Sequence, residues 1–186
     1  MREVSAWRLT MAAHLIGVLF LGAIPRLSAA EGLPGCQSCE LRLGVGGTYH
    51  FWGRTGGAVI PATLTWDGDR YEVGVFRMAG RQTLGAASAM HTSRLLAEPY
   101  WGFSASRRWK LAGTSRWRLL FGFGGSYKTE ADALNSTHWN FASQLAMQVR
   151  APGSRSTLEV SVRHWSNGGL RVPNRGQDFV TLSYAF

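Results

Sequence analysis

Near the end of the chain His164 and Ser166 stand two residues apart, and Asp178 follows after a loop. These side chains are the parts of an acyl-transfer triad. In such a triad a carboxylate orients an imidazole, and the imidazole takes the proton of a hydroxyl nucleophile. Two residues apart on a strand means one face and a Cα separation of roughly 7 Å, which an imidazole can bridge. A carboxylate on the next strand would then bond the other ring nitrogen and fix the tautomer. The chemistry therefore depends on whether this part of the chain forms paired strands.

The hydrophobic pattern says that it does. Leu158, Val160 and Val162 alternate with Thr157, Glu159, Ser161 and Arg163, and Val180, Leu182, Tyr184 and Phe186 alternate with Phe179, Thr181, Ser183 and Ala185. The same period of two runs through Leu41–Phe51, Tyr71–Val75, Trp117–Phe123 and Trp139–Val149. Such alternation marks strands with one apolar and one polar face. It predicts about eight strands, near 40–51, 57–66, 70–78, 97–109, 116–126, 138–150, 156–166 and 178–186. Pro99 needs to sit close to the start of the fourth.

The polar faces carry Arg42, Glu72, Arg118, Glu159 and Arg163, and the apolar faces gather Trp, Tyr and Phe near strand ends. A transmembrane barrel shows this pattern, with lipid-facing apolar residues, a polar interior and aromatic girdles. Short links with turn chemistry (Asp67-Gly68, Pro152-Gly153) alternate with longer ones such as 79–96 and 167–177. Short periplasmic turns and long external loops are the layout of an outer-membrane barrel. The fold expected is an all-β, eight-stranded antiparallel transmembrane β-barrel.

On that barrel His164 and Ser166 continue the lipid-facing stripe of the seventh strand. Asp178 is the next lipid-facing position of the eighth, counting back from Phe186. Three polar side chains thus end two apolar stripes beside one loop. Ionisable groups are costly where lipid is the neighbour, less so near the interface. The trio suits a catalytic site, and it equally suits a polar headgroup rim.

The run His164-x-Ser166-Asn167-x-Gly169, followed by Pro173-Asn174-x-Gly176-x-Asp178, resembles the signature of the PagL family of outer-membrane lipid A deacylases. The resemblance implies hydrolysis of the ester-linked acyl chain at the 3-position of lipid A, by a triad on the lipid-facing wall toward the external leaflet. It implies Ser166 as nucleophile, His164 as base and Asp178 as the acid. It also implies Asn167 and the Gly169 N–H as an oxyanion hole, with Asn174 in support. The family's acid is usually Glu, and Asp178 is one methylene shorter, which puts its reach to His164 in question. Arg171 and Arg175 can hold lipid A phosphates as charge-assisted pairs or stand as solvated loop charges. The partners implied are lipopolysaccharide and membrane lipid; a homodimer stays open.

The rest of the sequence narrows the alternatives. The 186 residues suit one domain. Arg2 and Arg8, the apolar run Leu9–Ile24 and small residues 28–30 read as a cleaved signal peptide over 1–30, leaving a single barrel domain over 31–186. Cys36 and Cys39 are expected as a short local disulfide or two free thiols. The net charge of +9 is spread thinly, and Trp residues suit a membrane girdle better than nucleic-acid stacking. His50, His91 and His138 have no partner at metal-ligand spacing, and no nucleotide loop is present, so no cofactor is expected. Two further readings remain: a non-catalytic barrel, adhesive or structural, and an acyltransferase. The latter would need a deep apolar pocket inside the barrel, where a polar interior is expected.

Overall fold

The computed structural model describes residues 38–49, 57–79, 99–131, 135–172, 174 and 176–185. The signal-peptide segment 1–30, Cys36, His50, His91, Pro173, Arg175 and Phe186 lie outside them. Cys39 is disulfide-bonded, so of the two cysteine readings the bridge holds.

Eight strands form one closed antiparallel barrel in sequence order, β8 pairing with β1. They are β1 (Glu40–Tyr49), β2 (Ala58–Trp66), β3 (Tyr71–Ala79), β4 (Tyr100–Gly113), β5 (Trp117–Lys128), β6 (Trp139–Arg150), β7 (Thr157–Ser166) and β8 (Gln177–Ala185). The largest departure from the sequence reading is β4, expected to end near residue 109. It continues to Gly113 because an irregularity between Lys110 and Ala112 lets the ladder with β5 resume. Pro99 precedes its first residue, so no ladder bond is lost.

Short links gather at one end of the barrel. The β2–β3 turn places Asp67, Gly68 and Asp69 all at positive φ, which Asp and Gly tolerate best. The β6–β7 turn uses Gly153 at φ 69°. Longer links gather at the other end, where β7 finishes and β8 begins.

Burial is inverted relative to a water-soluble protein. Leu158, Val160, Val162, Val180 and Leu182 are exposed, while Glu72, Arg108, Glu159, Thr181 and Gln148 are buried. In water that would leave a broad apolar band unpaired; in lipid it is the stable arrangement. The buried charges are partnered: Arg108 donates to Glu72 at 2.9 Å and to Glu159 at 2.6 Å, and Arg163 to Glu72 at 2.7 Å. Arg42 bonds Asp69, which Arg118 also reaches.

The sequence reading expected a polar interior, and part of the interior is apolar instead. Toward the loop end, Phe76, Trp165 and Phe179 pack edge to face with Met78, Val59, Tyr100 and Ala142 around them. Their side chains point inward because they occupy the same parity as the ion pairs. Charges and rings together fill the barrel, as side chains can at this size.

Candidate active site

The β7–β8 register sets the site. His164 pairs directly with Asp178, between Arg163↔Phe179 and Trp165↔Gln177. Directly opposed residues bring their side chains together on one face, and here that face is the barrel's outside. His164 Nδ1 lies 2.7 Å from Asp178 Oδ1. The Asp side chain is 8% exposed and the His side chain 45%. An ionised carboxylate only accepts, so this bond places the proton on Nδ1 and leaves a lone pair on Nε2. The shorter acid therefore does reach its imidazole.

Ser166 ends β7, half-buried and opposite Phe141 of β6. It shares the lipid-facing parity of His164, two residues on. No hydrogen bond links Ser166 to His164 among the described residues; contacts of this kind often tighten only when substrate arrives. The intervening Trp165 is 1% exposed and points the other way. Its indole reaches across the barrel to Gly102 of β4, where a β-carbon would collide with the ring.

The loop after Ser166 is held by asparagines. Asn174 Oδ1 accepts from the backbone N–H of Asn167 at 2.9 Å. Asn167 Oδ1 accepts from the Gly169 N–H at 3.0 Å, and its Nδ2 donates to the Arg171 carbonyl at 2.7 Å. Gly168 and Gly169 have φ of 66° and 81°, a conformation Gly adopts without strain. Asn167 is therefore 2% exposed with both ends of its amide engaged. In this structure it shapes the loop: its amide and the Gly169 N–H, which the sequence reading assigns to an oxyanion hole, bond to one another and to Arg171. Asn174 is bridged to Asn135 of the β5–β6 link, and its Nδ2 has no hydrogen bond among the described residues.

Two residues escaped the sequence reading of the site. Gly176, at φ 70°, lies against the imidazole, where a β-carbon would overlap His164 Cε1. Its place within the motif was visible but its contact was not. Ser143 stands directly opposite His164 on β6, in a lipid-facing stripe that otherwise holds Trp139, Phe141, Leu145, Met147 and Val149. A polar interruption of an apolar stripe was the available signal.

With this geometry in view, comparison with known proteins is specific. A family model described as Lipid A 3-O-deacylase (PagL) matches residues 44–186. The chain belongs to the PagL family. Its barrel is similar to the crystal structure of the outer membrane enzyme PagL, with a TM-score of 0.56 at 16% sequence identity. That match covers 79% of this chain and 98% of the other. It is also similar, at a TM-score of 0.49 and 9% identity, to Neisserial surface protein A, covering 79% of this chain and 93% of that one. A search of curated proteins finds no match. As a PagL-family member the chain is an outer-membrane lipid A 3-O-deacylase, a hydrolase built on an eight-stranded barrel.

Proposed function

We propose that this PagL-family barrel cleaves the 3-position acyl ester of lipid A with Ser166 as nucleophile, His164 as base and Asp178 as the orienting acid. The observation that carries the assignment is the His164–Asp178 bond of 2.7 Å on the outer wall, two residues along β7 from a serine of the same lipid-facing parity. His164 Nε2 takes the Ser166 proton as Oγ attacks the ester carbonyl. The resulting imidazolium gives that proton to the departing sugar oxygen, which leaves as a hydroxyl. Water, deprotonated by the same nitrogen, then opens the acyl-enzyme and frees the fatty acid, and the imidazolium returns the proton to Ser166 Oγ.

The hydrogen-bond pattern favours Asn174 over Asn167 as the side-chain donor to the oxyanion. Its carbonyl end is fixed by the Asn167 N–H, so its amino end is preset in direction. The Gly169 N–H joins that role only by exchanging Asn167 Oδ1 for the substrate oxygen. Because β7 ends at the long-loop rim, the site faces the external leaflet, where lipopolysaccharide resides. The filled interior supports hydrolysis over acyl transfer, which would need an internal acyl pocket.

Lipid A mass spectra from a Gram-negative host making the protein or its Ser166→Ala variant test this reading. Loss of one hydroxyacyl chain with the parent alone is expected. Equal loss with both proteins would remove Ser166 from the nucleophile role. Unchanged lipid A with a folded parent would favour the non-catalytic barrel.

A further inference from the structure

The arginines differ in what they meet: Arg77 and Arg107 lie over the Trp101 and Trp109 rings. Arg42, Arg70, Arg108, Arg118 and Arg163 each meet a carboxylate. Arg116, Arg150 and Arg155 have no ion-pair partner among the described residues, yet they are gathered in one place. Arg116 and Arg155 sit on the β4–β5 and β6–β7 turns and Arg150 ends β6 beside them, at the short-turn end opposite the catalytic site. The two turns are joined by the Arg150 N–H, which donates to the Arg116 carbonyl at 2.8 Å.

Between them lies a shallow crevice of about 400 Å³, lined by Ser115, Arg116, Arg150, Ala151, Pro152, Gly153, Ser154 and Arg155. No acidic side chain lines it. The turns are braced without using the guanidinium groups: Thr114 Oγ1 accepts from the Arg116 N–H, and Ser154 Oγ from the Ser156 N–H. Three exposed cations that line one crevice with no carboxylate among them leave their charge uncompensated by the fold and open to an external anion.

The surroundings say what kind of anion. Trp117 follows Arg116 directly and is 40% exposed on the lipid-facing side, as is Trp109 on the adjacent strand. Trp117, beside the turn, marks the membrane–water interface there, and Trp109, paired with Phe121, lies deeper in the wall. The crevice therefore opens where lipid headgroups lie, and short turns place it at the periplasmic leaflet. Arginine forks match phosphate oxygens in pairs.

We infer that the crevice formed by Arg116, Arg150 and Arg155 binds the phosphate headgroup of an anionic phospholipid in the periplasmic leaflet. The lipid's acyl chains lie along the Trp109–Trp117 wall, and its phosphate bridges the two turns. The site is separate from the acyl-ester chemistry at the other rim and does not depend on it. It anchors the barrel's depth and orientation from below.

The test uses the full chain purified in detergent and titrated with phosphatidylglycerol or phosphatidylethanolamine of matched acyl chains. Native mass spectrometry reads bound lipid. Phosphatidylglycerol is expected to be retained at concentrations about tenfold lower, given the attraction of three cations for a net negative headgroup. The triple variant Arg116→Gln, Arg150→Gln, Arg155→Gln loses that preference, while Arg77→Gln at the opposite rim keeps it. Equal retention of both lipids, or an undiminished preference in the triple variant, overturns the proposal. So does displacement of the lipid by millimolar inorganic phosphate, which would make this a soluble-anion site. If the triple variant fails to fold, Arg155→Gln alone is read: a drop of two- to threefold in preference on the order expected for one surface cation supports the site, and no change overturns it.

Discussion

Gly176→Ala is the sharpest test of the triad geometry, because it alters no catalytic group. Gly176 has φ of 70°, and the position of a β-carbon there overlaps the His164 ring at Cε1. Restoring an ordinary carbon contact moves the imidazole by about 1 Å, and a displacement of that size costs on the order of 10²-fold in rate when a base must meet its nucleophile. The left-handed backbone adds about 1–2 kcal/mol of strain for Ala. Gly68→Ala separates the two effects: it has a similar φ of 64°, with nothing within 4 Å of its added carbon. Fatty-acid release from lipid A in detergent micelles gives kcat, and heat-modifiable gel migration reports the folded barrel. We expect a kcat about 10²-fold lower for Gly176→Ala and unchanged for Gly68→Ala, with both proteins folded. A kcat within twofold of the parent for folded Gly176→Ala would refute the claim that His164 acts from the position seen here.

Replacing Asp178 with Asn removes the acceptor that holds the proton on His164 Nδ1, and kcat should fall by about 10³-fold or more, as loss of a triad carboxylate does elsewhere. In the same release assay Asp178→Glu should stay within about tenfold, since either carboxylate serves in such triads; a parent-like kcat for the isosteric Asp178→Asn would mean that the carboxylate serves only to fill space. At the other end of the barrel, burial would raise the Asp69 carboxyl, but Arg42, Arg108 and Arg118 outweigh it and hold it at about 2. The folded value lies below the unfolded one, so this carboxylate stabilises the barrel above pH 4 and loses its contribution as pH falls toward 2. That contribution is about 2 kcal/mol. Thermal unfolding in detergent from pH 5 to 2 should show a steeper loss for the parent than for Asp69→Asn, and parallel curves would contradict the assignment.

The barrel was legible because its pattern has a single period. Each strand alternates, and the charges at inward parity find one another: Glu72 on β3 and Glu159 on β7 both meet Arg108 on β4. The His164–Asp178 pairing was legible for the same reason, since counting parity from Phe186 and from Leu158 reaches the same face. What alternation does not carry is distance across the barrel or the path of a loop. Trp165, Phe76 and Phe179 have inward parity but apolar side chains, so composition read along one strand gave no sign that three strands converge on one aromatic cluster. Asn167 shows the other limit. Its residue type suits an oxyanion donor, yet its amide is spent on Gly169 and Arg171, and only the loop's fold reveals that.

The filled interior bears on why an external site can be rigid without a pocket around it. The two β7 residues flanking His164 both point inward. Arg163 donates to both carboxylate oxygens of Glu72, at 2.7 and 3.2 Å, with its guanidinium carbon 5.1 Å from the Phe76 ring centre. Trp165 wedges between Phe76 and Phe179, with ring centres 5.2 and 5.0 Å away. β7 is thus fastened to β3 and β8 immediately before and after the catalytic imidazole. Rotating the strand to move His164 would break a buried ion pair on one side and open an aromatic cluster on the other. A buried ion pair adds little net stability over apolar packing, but removing one partner is expensive. Its value here is positional: the inward residues hold the outward ones in place, and the wall can act on a lipid that never enters the barrel.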